Sequence, residues 1–193
     1  GMYPSSNGIY GNGMCLGQDI KTAGQRLSEK GLLCGYVGKW HLDGGDYYGK
    51  GICPEGYDKK YWYDMRNYLD ELPDDDARQH SRKNMSAMVF GDVVEEDTYA
   101  YRCAEKAIGF LEEHKDEDYF LTVSFDEPHD PSQCPKKYAK ELKKSGFKFE
   151  DKPNTCAPLV DKPDIQTLWK NEFKIPWPIM KAGFAKGYLA CNT

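Results

Sequence analysis

"GLLCGYVGKWHL", Gly31 to Leu42, is an apolar run bounded by glycines and followed at once by a lysine, a tryptophan and a histidine. Leu32 to Val37 shows no polar alternation, which suits a strand buried on both faces, as in a parallel sheet, better than a half-wet antiparallel one. The residues before it, "DIKTAGQRLSEK" from Asp19 to Lys30, predict a helix ended by Gly31. Thr22 with Gln25 three residues on has the spacing of a capping box. The unit is a helix feeding a strand.

The same order recurs downstream. "EEDTYAYRCAEKAIGFLEEHK" predicts a helix with Tyr101, Ala104, Ile108 and Leu111 on its apolar stripe, acids early and a His-Lys pair late, as the helix dipole prefers. "YFLTVSF", Tyr119 to Phe125, is aromatic and β-branched and predicts a second buried strand. Repeated helix-strand alternation argues for an α/β fold with a mostly parallel sheet, in which ligands gather at the carboxyl ends of the strands. Between the two units, Asp43 to Asp92 is rich in Gly, aromatic and charged residues without a sustained period, and is expected to be a long irregular excursion holding most of the mobile backbone. "CPKKYAKELKKSG" predicts a short basic helix starting at Pro135, and "PWPIMKAGFAKGYLACNT" resumes a helical pattern.

With 193 residues, 39% of them hydrophobic, the chain can bury one sizeable core, and residues 1–193 are expected to form one partial catalytic domain. The net charge of −5 comes from interspersed signs, which argues against a nucleic-acid surface or a polybasic membrane patch, and no apolar run approaches the roughly 20 residues of a membrane span. Seven scattered cysteines without a C-x-x-C pair read as thiols used as small apolar residues rather than as zinc ligands or a disulfide framework. The acidic triplet Asp74, Asp75 and Asp76 reads as a solvated turn.

Both strand ends are chemically loaded. If the strand period continues past Gly38, Lys39 and His41 project to one side and Trp40 to the other. His129, stiffened between the prolines of "DEPHDP", would converge with them if the two strands are neighbours. Such groups can hold a tetrahedral oxyanion ester, sulfate or phosphate, and give a proton to its leaving oxygen. On spacing alone Lys39 and His41 more often read as ordinary solvated residues, and His129 as a loop-stiffening one. A rim lysine contributes little to a core, so replacing Lys39 by Ala is expected to spare the fold.

"GYVGKWHL", Gly35 to Leu42, resembles the second signature of the sulfatases, in the alkaline-phosphatase-like superfamily. "GMYPSSNGI" is similar to the stretch that follows that family's nucleophile segment, and "FDEPHDP" to the loop carrying a sulfate-contacting histidine. The resemblance implies a partial alkaline-phosphatase-like α/β sandwich that hydrolyses sulfate esters of a small molecule or glycan. Lys39 and His41 would contact the sulfate and the nucleophile region, and His129 a sulfate or bridging oxygen. In the intact protein it also implies calcium and a formylglycine.

The departures are informative. Sulfatases use a Cys or Ser in Cys/Ser-x-Pro/Ala-x-Arg, and none of the seven cysteines or the serines stands in such a motif. The paired acidic metal ligands of the family have no counterpart either. The expectation is therefore an internal or truncated piece of a sulfatase, inactive alone, binding no calcium, and prone to self-association through an incomplete sheet. Alternatives are a phosphodiesterase or phosphonate monoester hydrolase of the same superfamily, or a non-catalytic sulfatase-like binding module.

Overall fold

The chain begins with a short exposed helix, α1 (Pro4–Asn7), closed by Gly8 in the left-handed region. It then runs to Leu16, whose N–H donates to the Leu42 carbonyl at 2.9 Å. Thr22 caps α2 (Ala23–Ser28) as its spacing predicts: its hydroxyl accepts from Gln25 N–H while the Gln25 side chain accepts from Thr22 N–H. The capped helix leads into β1 (Leu33–Gly38), buried from Cys34 onward. Residues 1–73, 94–129, 134–146 and 159–172 are described in this computed structural model. Contacts divide the chain into two compact units, Gly1–Ser81 with Val94–Asp126, and Arg82–Val93 with Glu127–Thr193.

In the first unit β1 is the middle of a three-stranded parallel sheet of order β2-β1-β3, where β2 is Trp62–Tyr63 and β3 is Tyr119–Ser124. The β1–β3 register is unbroken from Leu33 opposite Tyr119 to Gly38 opposite Ser124. Both faces of β1 are covered, as its apolar run requires. Cys34 and Tyr36 pack toward α2 and the Tyr57 and Trp62 rings, with Cys34 Sγ donating to the Gly24 carbonyl. Gly35 and Val37 face the other way, toward α4 (Tyr99–Glu113), where a Cβ on Gly35 would lie 3.0 Å from the Phe110 ring.

Three expectations are corrected. The buried stripe of α4 is Tyr99, Cys103, Ala107 and Phe110, whereas Ile108 and Leu111 are 48% and 41% exposed. Small and aromatic residues carry this contact because the helix lies close against the sheet. Strand β3 is half-buried rather than buried, since it is the edge of the described sheet, and Phe125 beyond it is exposed. The stretch expected to be irregular from Asp43 holds no helix or strand from Gly44 to Asp58, but from Lys59 to Glu71 it is regular. It supplies β2 and α3 (Met65–Glu71), whose N-terminus Asp64 caps through Asn67 N–H. It also contributes Tyr47, Tyr63, Met65, Tyr68, Leu69 and Leu72 to the core with Val37, Tyr99 and Cys103. Burying a large apolar side chain of this kind stabilises by about 2 kcal/mol. Residues 74–92, with the Asp74 to Asp76 triplet, lie outside the described residues.

The second unit contains α5 (Lys136–Lys144), starting after Pro135 as expected, and α6 (Asp164–Glu172). The helical pattern of the last 18 residues lies outside the described residues.

Candidate active site

Lys39 follows directly on the last residue of β1, and its N–H extends the parallel pairing by donating to the Ser124 carbonyl at 2.9 Å. Its own carbonyl accepts from the Tyr36 hydroxyl at 2.7 Å. With its backbone held on both sides, the side chain reaches Asp126, where Nζ donates to Oδ1 at 2.7 Å. Asp126 Oδ2 accepts from the Tyr47 hydroxyl at 2.6 Å, and the ammonium sits 4.3 Å from the Tyr47 ring centroid. Ammonium, carboxylate, phenol and ring face form one cluster at the carboxyl end of the central strand. The Lys39 side chain is 14% exposed and that of Asp126 5%, so the cation is the member nearer to solvent.

The expected strand alternation stops at Gly38, and His41 stands in the left-handed region with φ 61°. A non-glycine residue rarely adopts this conformation, and such strain gathers at functional sites. The His41 Nε2 atom is shielded from solvent without a hydrogen bond, 3.4 Å from Asp46 Oδ1. Asp46 is itself at φ 52°. Lys39 and His41 thus stand against adjacent residues of one loop, Tyr47 and Asp46, by a route other than strand periodicity. Trp40 departs to the opposite side, where its ring meets Tyr36, Tyr57 and Trp62 edge to face. On that side Trp40, Leu42, Ile20 and Ile52 wall an open cavity of about 710 Å³, which Lys39 and His41 do not line.

The loop is anchored from below. Asp43 accepts from Gly45 and Lys50 N–H, and Asp64 from Asn67 and Gly51 N–H. Burial pushes the Asp64 carboxyl above its ordinary range against the pull of those N–H groups and with the help of the Asp43 charge. Four carboxylate oxygens are therefore taken up by backbone donors. Among the described residues no three His, Cys, Asp or Glu side chains converge as a metal ion would require. The described residues do not fit the divalent cation that the resemblance implies.

His129 belongs to the second unit, is half-buried, and follows Pro128, whose peptide bond with Glu127 is cis. The expectation that Lys39→Ala spares the fold is corrected by burial, because removing the ammonium would leave the Asp126 carboxylate shielded and without its cation. Sequence reasoning missed Asp126, Tyr47 and Asp46. The first stands three residues before His129 in "DEPHDP" and was in view, but its partner is 87 residues away.

The sequence model of the Sulfatase family matches residues 1–168. The uncharacterized sulfatase YidJ of Escherichia coli (strain K12) is 33% identical over 198 residues, an alignment that covers all of this chain and 39% of that protein. With a parallel α/β sheet that ends in "GKWH" and a family match over most of its length, the chain belongs to the sulfatase family.

Proposed function

We propose that the protein carrying this chain hydrolyses the sulfate ester of a small molecule or glycan, and that Lys39, His41 and His129 are its sulfate-handling residues in this region. The observation that supports it most is the Lys39 ammonium, fixed at the carboxyl end of the central parallel strand, where α/β folds gather their ligands. Lys39 would hold a non-bridging sulfate oxygen by a charge-assisted hydrogen bond. As a water oxygen bonds to sulfur and gives up a proton, the bond from sulfur to the ester oxygen breaks and the departing alcohol oxygen takes a proton from the His41 imidazolium, leaving the alcohol and hydrogen sulfate. His129 is assigned to a sulfate or bridging oxygen from its "DEPHDP" motif. The family's formylglycine and calcium are not placed on any described residue, and the chain spans 39% of the length of the relative it matches.

The experiment compares initial rates on 4-nitrophenyl sulfate and bis(4-nitrophenyl) phosphate for the protein carrying this chain and its His41→Ala and His129→Ala variants. Sulfate turnover should fall by about 100-fold or more in each variant. Faster turnover of the diester by the parent would move the reading to the phosphodiesterase alternative. Anion binding without turnover of either substrate would move it to the non-catalytic module.

A further inference from the structure

We infer that Asp126 is a specificity-determining residue, which makes the Lys39 site select singly charged tetrahedral oxyanion esters over doubly charged ones. The inference rests on the sulfate reading of Lys39 and deepens it. Both Asp126 oxygens are engaged, Oδ1 by the ammonium at 2.7 Å and Oδ2 by the Tyr47 hydroxyl at 2.6 Å, so the carboxylate is held in one place. It lies beneath the cation, 5% against 14% exposed, and the electron-rich Tyr47 face stands on another side. Asp46, beside His41, adds a second carboxylate to the same loop.

An anion on Lys39 therefore meets a donor whose charge is cancelled at close range. With an ordinary charge-assisted hydrogen bond to Nζ, the anion's charge stands roughly 5 Å from the Asp126 carboxylate, within strong Coulomb range. Attraction to the site grows in proportion to the anion's charge, while the cost of stripping water from the anion grows with the square of that charge. A bare lysine can offset the larger cost for a dianion, whereas a lysine half-cancelled by a carboxylate cannot. The pair is therefore matched to a sulfate monoester or a phosphate diester, each with one charge, and poorly matched to a phosphate monoester, which carries nearly two above its second ionisation near pH 6.

The test is calorimetric binding to the protein carrying this chain, at pH 8, of phenyl sulfate, methyl phenyl phosphate and phenyl phosphate. The parent should bind the two monoanions within about threefold of each other and the dianion at least about tenfold more weakly. Asp126→Asn should raise phenyl phosphate to at least the level of phenyl sulfate, while Asp126→Glu and Tyr47→Phe, which keep the negative charge, should keep the parent's order. An unchanged ratio in folded Asp126→Asn overturns the inference and leaves the sulfate reading standing. If that variant does not fold, the parent decides alone, and a dianion bound as tightly as the monoanions overturns it. Failure of the parent to bind any of the three overturns the sulfate reading of Lys39, and the inference with it.

Discussion

A Cβ on Gly38 would stand 2.0 Å from the carbonyl oxygen of Ser124, the same oxygen that accepts the Lys39 N–H. With φ at 119°, Gly38 occupies a conformation closed to side chains, at the point where β1 leaves the sheet and aims the lysine. Gly38→Ala should push the strand ends apart and destabilise the first unit by about 3 kcal/mol, read as a lower urea midpoint. A midpoint equal to the parent's would mean that the close approach of Gly38 and Ser124 is not needed to hold the lysine.

Lys39→Met removes the cation and leaves a shielded carboxylate with only the Tyr47 hydroxyl. The expected loss is about 3 kcal/mol, and adding Asp126→Leu should return most of it, because an apolar pair can replace a buried ion pair. A double-mutant cycle by chemical denaturation measures the coupling. Additive losses would mean that the two side chains do not stabilise one another.

Asp64 gives a pH signature. Its carboxyl is raised in the folded chain from an ordinary value of 3.8, so the folded state holds the proton more tightly than the unfolded one. Stability contributed through Asp64 is therefore full below pH 3.8 and is lost as pH rises through the raised value. Asp64→Asn, which keeps a capping side chain, should flatten this part of the decline whatever its absolute stability. Denaturant titrations of both proteins from pH 4 to 7 compare the slopes, and parallel slopes would contradict the burial effect.

Thiol chemistry should separate Cys15 from Cys53. Cys15 is exposed, while burial, aided by the Asp58 charge, pushes the Cys53 thiol up to about 11. At pH 8 only about a thousandth of Cys53 is then thiolate, so iodoacetamide should modify Cys15 well before Cys53 in timed peptide mapping. Equal rates would mean that the loop around Cys53 opens faster than it reacts.

What could be read from the sequence was local. The capping box at Thr22 and Gln25, the apolar run of β1 and the alternation of helix with strand each depend on neighbours a few residues apart, and each stands in the fold. The ordered part of the Asp43 stretch was hidden because tyrosine builds much of its core. Tyr63 and Tyr68 bury their rings while their hydroxyls donate to Glu71 and to the Asp97 carbonyl, so the chain shows little contrast between apolar and polar positions. The stripe of α4 was misread for a related reason, since Cys103 and Ala107 fill the close contact that Ile108 and Leu111 were expected to make. Family signature pointed to Lys39 and His41, but no spacing rule links Lys39 to Asp126 or His41 to a strained Asp46.

The separation of 87 positions from Lys39 to Asp126 is also an interval of time. At ordinary ribosomal speed the lysine is made roughly 4 to 17 s before the aspartate that neutralises it. Through that interval β1 has no β3 to pair with, and its tip carries a cation with no countercharge from its eventual partner. The strand that founds the sheet must therefore wait as an apolar, positively tipped segment until Ser124 and Asp126 arrive together, closing the backbone ladder and the ion pair in one event.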